Sequence, residues 1–587
     1  MTFVAVLLAA VSLGSVRTPD YQAVQRRLAK GWNTWYNNSM TAQVKLPEGV
    51  GFNFGLATGG TDDCQREFLK YSERANQPAR IVPGLRTDDG AYTSATLGYR
   101  DFEVRLETAT DGDDLLALVT ALRGDGENYV LVEPIAPFAA EGARPLAPTQ
   151  VVARVTRAKP FVFFTGRART DEEVENLVAA RRAAVQARVA AWGDKAEAFL
   201  AMQTVLAWNT IYDAPNRRVI TPVCRPWNRG SGGWVLFDWD TYFAAYMFSS
   251  FNRDLAYANA VEISKCVTEE GFVPNFRNAR GVSDDRSQPP VGSRIVWEIY
   301  CRHRERWFLE EVYGELLAWN RWWPEARDFN GYLCWGTHRW RDGKRVPGTK
   351  QDAMFESGLD NSPIFDDVPM SVERPVLLQA DVGLLSLYVM DCKALARIAT
   401  ELGREADARE ALARADRYAA SLSSLWNEAR GIYMNRRLDT NAWSEVLTPC
   451  NFYPLLAGVP SPRQAERMIR EHYFNPDEFH GTYVLPSCAR NSRAFSDNSY
   501  WRGRIWAPLN LLVYLGLREY GLDAARHDLV RRSNELLLAN WRKTGGVYEN
   551  YNAVSGVGGD VGNSDGFYHW GALLSYLRVL EEDGVSK

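Results

Sequence analysis

The period of the hydrophobic pattern changes once along this chain, and that change limits the fold more than any other feature. After a short helix over about 20–30, the stretch from 31 to 170 carries apolar residues in alternation or in short runs. Examples are Val104-Arg-Leu-Glu-Thr, Tyr129-Val-Leu-Val-Glu, Val151-Val-Ala-Arg-Val and Phe161-Val-Phe-Phe. Gly, Asp and Pro turns separate them, as at Asp88-Asp-Gly and Asp111-Gly-Asp. Short strands spaced by turns predict an antiparallel β-sandwich. A helix rich in Ala, Arg, Val and Glu follows over about 171–191, and Gly193 ends it. From Lys195 onward the period is helical, with twelve amphipathic segments beginning near 195, 238, 254, 292, 305, 375, 404, 441, 462, 502, 523 and 567. Twelve helices in succession fit six αα-hairpins closed into an (α/α)6 toroid, and the lack of a fixed repeat period counts against an open solenoid. The expected fold class is therefore α+β and multidomain. Residues 15–170 form an accessory β-sandwich, 171–193 a linker helix and 194–587 the toroid.

Composition removes several function classes. The 587 residues carry 68 Lys+Arg against 72 Asp+Glu, a net charge of −4, which lacks the basic footprint of a nucleic-acid binder. The N-terminus has an apolar run from Phe3 to Leu13 and small residues at Ser12 and Gly14. That pattern predicts an export signal over 1–14 and a periplasmic or extracellular protein. No Lys or Arg precedes the run, and the competing reading is an apolar helix docked on a cytoplasmic protein. No other stretch approaches the ~18 apolar residues that cross a bilayer. The eight cysteines are scattered with no C-x-x-C, so buried thiols are expected, with Cys64 the candidate for a single bridge. Asp111-Gly-Asp-Asp114 is too short for a calcium loop and reads as a solvated hairpin, and no metal or cofactor is expected. Tryptophan is the outlier. There are 20, and only Trp32 and Trp35 precede residue 190. A sugar-stacking cleft accounts for such a bias, although an aromatic core explains a good part of it.

Three connections, about 329–374, 473–500 and 544–566, are too long for helix turns and are rich in Gly, Asn, Asp and aromatics. Long loops in compact domains are usually functional. The first carries Phe355-Glu-Ser-Gly-Leu-Asp-Asn-Ser-Pro363, with carboxyls at Glu356 and Asp360. The last carries Val547-Tyr-Glu-Asn-Tyr-Asn552, with Glu549 between two tyrosines, and Phe567-Tyr-His-Trp-Gly571 follows. Glycoside hydrolysis needs two carboxyls, one to protonate the leaving oxygen and one to activate water. Spacing alone leaves open that Asp360 caps a turn and that Glu549 pairs with an arginine.

These runs, with Tyr500-Trp-Arg-Gly-Arg-Ile-Trp506, Phe237-Asp-Trp-Asp-Thr-Tyr, Ser287-Gln-Pro-Pro-Val and Trp297-Glu-Ile-Tyr, resemble glycoside hydrolase family 63. That family includes processing α-glucosidase and mannosylglycerate hydrolase and is related to trehalase. The motifs occur in family order across about 237–571. The resemblance implies a toroid and an exo-acting, inverting enzyme on a terminal α-glucoside or α-mannoside. By the same resemblance Asp360 is the general acid and Glu549 the general base. Trp239 and Asp240 match the pair that contacts the sugar, and Gln288, Trp297, Tyr500, Trp501, Arg502, Gly503 and Trp506 match wall positions. Glu298 has no settled family role and is expected in a buried ion pair; His569 is expected to be structural. The chain departs from the family at Ile364-Phe365-Asp366-Asp367, where an aromatic or basic residue is common, and the added acids bear on the leaving-group subsite. The implied partner is an oligosaccharide or small glycoside.

Rival readings on similar toroids are weaker. An N-acylglucosamine epimerase uses catalytic histidines, and the six here (303, 338, 472, 480, 527, 569) form no paired motif. A polysaccharide lyase needs a Tyr/His pair beside a uronate. A silent glycan-binding protein would dispense with the paired carboxyls, and both are present.

Overall fold

The computed structural model describes residues 17–69, 78–139, 147, 149–341 and 344–581. The expected export signal over 1–14 lies outside the described residues. Strands between Gly31 and Phe164 form two antiparallel sheets. The first runs Gly31–Asn33, Ala42–Leu46, Val50–Thr58, Asn128–Ile135, Val151–Arg154, with Cys64–Gln65 added against Val50–Thr58. The second runs Phe161–Phe164, Asp114–Arg123, Phe102–Asp111, Tyr92–Tyr99, Ala79–Arg86. The pleat turns Phe102, Val104 and Leu106 inward while Arg105 stays exposed, as a period of two requires. Phe52 and Phe54 of the first sheet meet Phe163 of the second edge-on, at ring separations of 4.8 and 6.0 Å.

The acidic turn is a hairpin. Asp111 pairs opposite Asp114 across Gly112, and the buried Arg169 donates to both carboxylates at 2.9 and 2.7 Å. Next comes the helix Asp171–Ala190, opened by a reciprocal Thr170/Glu173 capping box. It lays Val174, Val178 and Val185 on Tyr92 and Leu116 of the second sheet.

From Ala196 the chain is helical, and packing contacts run through a closed cycle. Asp238–Phe248 touches Gly292–His303, which touches Val382–Glu401, which touches the single turn Pro454–Ala457. That turn touches Ala507–Glu519, which touches Leu573–Leu580, which returns to Asp238–Phe248. Second helices pack alongside, including Arg253–Ser264 on the first member and Glu405–Ser423 on the third. One expected helix is displaced. No helix begins near 441; the chain stays irregular to Thr448 and then makes the short turns Pro449–Phe452 and Pro454–Ala457. Each proline lacks the N–H a helix interior needs and stands at the first position of its turn, and Gly458 at φ +64° closes the second. The 329–374 connection is not structureless either, since it holds a hairpin (His338–Arg341, Lys344–Pro347) and the helix Lys350–Glu356. All eight cysteines are free thiols, so the Cys64 bridge is absent.

The β and helical parts are tied by Arg225. Its buried guanidinium donates to the carbonyls of Thr34, Tyr36 and Trp208 at 2.5–2.7 Å, and burial pushes its pKa down to about 9. Among the described residues no helix is long and apolar enough to cross a membrane.

Candidate active site

Eight short stretches of chain converge on one cavity of about 230 Å³. The strand Val235–Phe237 leads directly into the helix Asp238–Phe248, so Trp239 and Asp240 fall in its first turn. Asp240 Oδ1 accepts a hydrogen bond from the Tyr568 hydroxyl at 2.8 Å.

Glu356 is an anchor for the loop that bears Asp360. Its carboxylate, fully buried, accepts two hydrogen bonds from Arg327 at 2.7 and 2.6 Å. It also accepts the N–H groups of Ser287 at 3.1 Å and Gly336 at 2.6 Å. Two residues on, Gly358 has φ +66°, and a Cβ there would lie 2.7 Å from Trp239 Cζ2. Only glycine permits both the backbone and the close ring. The loop thus turns over Trp239 and brings Asp360 to the cavity. Asn361 then clasps the next segment, accepting from the N–H of Trp501 at 2.8 Å and donating to the carbonyl of Ser499 at 3.2 Å.

Tyr500 takes φ +55°, a left-handed conformation that a bulky side chain rarely adopts. Strain of this kind persists where surrounding contacts impose it. Here the Tyr500 hydroxyl donates to Glu549 Oε1 at 3.0 Å. Glu549 is buried, and its backbone N–H donates to Asp565 O at 2.9 Å while its carbonyl accepts from Trp570 Nε1 at 2.9 Å. The Asp565 N–H approaches Oε2 at 3.4 Å. Asp565 is itself held by Trp227 Nε1 at 2.5 Å.

The two carboxyls differ in what surrounds them. Burial pushes Asp360 up to about 7, opposed by the Arg286 guanidinium. Burial likewise pushes Asp240 up to about 8, opposed by the Tyr568 hydroxyl. Glu549 is raised well above its ordinary value by burial and by Asp565, while the donors Tyr500 and Asp565 N–H favour its charged form. Glu549 has donors at both oxygens, the setting of an acceptor, whereas Asp360 is met by its own backbone N–H and the charge of Arg286.

Residues 234–570, more than half of the chain, match the model of the mannosylglycerate hydrolase MGH1-like glycoside hydrolase domain. The chain belongs to that family. It is a glycosidase, and the family 63 assignment implied by its motifs holds. Mannosylglycerate hydrolase MGH1 of Selaginella moellendorffii is 24% identical over 413 residues, covering 58% of this chain and 78% of that protein. The mannosylglycerate hydrolase of Rubrobacter radiotolerans is 28% identical over 338 residues, covering 50% and 74%. In fold, the chain is similar to a bacterial glucoamylase complexed with acarbose, at TM-score 0.50, 11% identity and 94% coverage of both chains.

In this family 63 glycosidase the cavity gathers Trp239, Asp240, Gln288, Asp360, Tyr500, Trp501 and Glu549 from the residues singled out by sequence. Four others stand off the wall. Trp506 is fully buried behind Trp501, stacked at 3.6 Å, with Nε1 donating to Tyr500 O at 2.9 Å. Arg502 turns outward to Asp497 at 2.6 Å and Asp366 at 2.8 Å. Gly503, at φ +90°, serves the backbone, because a Cβ there would lie 2.2 Å from Phe495 O. Trp297 packs on Tyr300 within its own helix, at a ring separation of 5.5 Å. None of these four lines the cavity. Sequence reasoning missed Arg286, Tyr568, Trp227 and Phe355 on the wall. Phe355 and Tyr568 lie inside two of the motifs and Arg286 adjoins a third, whereas Trp227 carries no local signal. Glu298 is ion-paired as expected, with Arg294 at 2.7 Å and Arg518 at 3.2 Å. His569 is buried and pushed down to about 3 by burial, a neutral structural ring. A larger cavity of about 970 Å³ lies beside Glu262 and Lys265, but Arg17, Arg218 and Lys265 there are each bound to acids. Size does not locate the chemistry.

Proposed function

We propose that this chain is an exo-acting, inverting glycoside hydrolase that removes a terminal α-linked glucose or mannose. Asp360 is the general acid and Glu549 the general base. The observation that carries the reading is that these two carboxyls line one small aromatic cavity, both raised by burial, and that Glu549 has a hydrogen-bond donor at each of its oxygens. The Tyr500 hydroxyl and the Asp565 N–H favour the charged form of Glu549, the form that takes a proton from water, against the burial that raises it. Asp360, raised to about 7 by burial, keeps its proton near neutral pH and gives it to the leaving oxygen. A separation of roughly 6.5–9.5 Å between such carboxyls leaves room for the water of a single displacement. Trp239, Trp501 and Trp570 offer ring faces or edges to the pyranose, and Asp240 and Gln288 offer hydrogen-bonding groups to its hydroxyls. A cavity of about 230 Å³ suits one terminal ring rather than an internal stretch of polymer.

The closed cycle of helix contacts supports an (α/α)6 toroid over 194–587, preceded by a β-sandwich domain over 15–170 and a linker helix over 171–193. The apolar N-terminus supports export with cleavage near Gly14. An intact Met1 on the native protein, read by mass spectrometry, would reject that.

The catalytic assignment is tested with Glu549→Gln and Asp360→Asn, each of which keeps side-chain shape. Each loses about 100- to 10,000-fold in kcat with substrate binding nearly intact. Near wild-type turnover by Glu549→Gln assigns the base to another residue.

A further inference from the structure

Glu549 is held from behind, and the hold runs back to Trp227. The Glu549 N–H donates to the Asp565 carbonyl at 2.9 Å, and the Asp565 N–H faces Glu549 Oε2 at 3.4 Å. The two residues pair through the main chain, so the place of Asp565 sets the aim of Glu549. The Asp565 side chain is fixed in turn by Trp227, whose Nε1–H donates to Oδ2 at 2.5 Å, a short charge-assisted bond. Trp227 can act as an anchor because its own short helix, Arg225–Gly230, is tied down along its length. Arg225 donates to the carbonyls of Thr34 and Tyr36 in the β part and of Trp208 in the helical part. Asn228 accepts the Gly233 N–H at its carbonyl, at 2.9 Å, and the Val235 N–H at Oδ1, at 3.3 Å. The Trp227 ring meets Phe237 and Tyr568 edge-on, at 5.5 and 6.0 Å. Trp227 lines the cavity, whereas Asp565 does not.

We propose that Trp227 is a positioning residue for the catalytic base, acting on Glu549 through its hydrogen bond to Asp565. The inference rests on the reading of Glu549 as the base. A base that activates water has to present one oxygen along the line of attack, and small misplacements there are costly in rate. The Asp565 N–H favours the charged form of Glu549 only while it faces Oε2. With the indole N–H gone, the Asp565 side chain loses its anchor and both conditions loosen. A wall role explains the ring of Trp227 in the cavity. It does not explain an indole N–H bound to an acid that stands outside the cavity, behind the base.

The test removes the donor and keeps a ring, with Trp227→Phe made alone and together with Asp565→Ala. The substrates are α-glucosyl and α-mannosyl fluoride, because fluoride departs without a proton from Asp360 and the rate then reports on the base. The expected result for Trp227→Phe is a fall in kcat of about 10- to 100-fold, with KM within about three-fold of wild type. In the Asp565→Ala background the same change should cost no more than about two-fold, since the path is already cut. An equal loss in both backgrounds, or a raised KM with kcat unchanged, would overturn the proposal and leave Trp227 a wall residue. A second readout needs no turnover. The indole N–H resonance of Trp227, assigned in the NMR spectrum by its loss in Trp227→Phe, should shift in Glu549→Gln. A resonance unmoved by that change overturns the proposal as well. Wild-type protein idle on both fluorides would count against the hydrolase reading instead, and the resonance alone would then decide whether Trp227 and Glu549 are coupled.

Discussion

Replacing Glu356 by Gln should unfold this protein more easily than almost any other change that conserves shape. Glu356 and Arg327 have no exposed side-chain surface, so solvent screening gives no relief. The carboxylate accepts four donors, two from Arg327 and one each from the N–H groups of Ser287 and Gly336. Gln supplies an NH2 where two of those donors point and removes the counter-charge of Arg327. Breaking a buried pair from one side costs about 3–5 kcal/mol. Removing both members, with Glu356→Leu and Arg327→Met, recovers part of that loss. It cannot recover all, because two buried N–H groups stay unpaired at about 1–3 kcal/mol each. Urea unfolding followed by tryptophan fluorescence measures both variants, and turnover is measured on the same samples. The single variant should also lose activity, since Asp360 sits four residues along the anchored loop. A stability change under about 1 kcal/mol together with unchanged kcat would refute the anchor argument.

Other perturbations separate the remaining roles. Asp565→Asn removes the like charge that raises Glu549, so the base ionises at lower pH and the acidic limb of kcat/KM should move down; an unmoved limb rejects that coupling. Arg286→Leu removes the cation that opposes protonation of Asp360, so the alkaline limb, near pH 7 in the wild type, should move up. Trp501→Ala opens a hole beside Trp506 and Trp239 and should cost about 3–5 kcal/mol in stability as well as activity. Kinetics unchanged at a temperature where the variant is folded would make Trp501 a packing residue alone.

Where the sequence was legible, and where it was not, follows from how local the determining contacts are. Asp360 and Glu549 lie in loops whose own Gly, Ser and Asn residues mark a turn, so contiguous motifs were enough to find them. Trp501, Arg502 and Gly503 are neighbours in one motif, yet the positive φ at Tyr500 and Gly503 sends them different ways: Trp501 to the cavity and Arg502 to Asp366. That divergence is a backbone property with no side-chain signature. Trp227 and Asp565 meet across 338 positions of sequence, and only the folded chain brings them together. The displaced helix near 441 fails for a different reason: the amphipathic spacing was real, but Pro449 and Pro454 override it.

The inverting displacement is the central claim, and one measurement addresses it directly. Proton NMR of the first minutes of hydrolysis of the better substrate among α-glucosides and α-mannosides with a non-sugar aglycone reads the anomer released before mutarotation. Acid at Asp360 and water activated by Glu549 on the opposite face predict the β-anomer first. Release of the α-anomer first would mean a covalent intermediate and two displacements, and would contradict the roles given to both carboxyls.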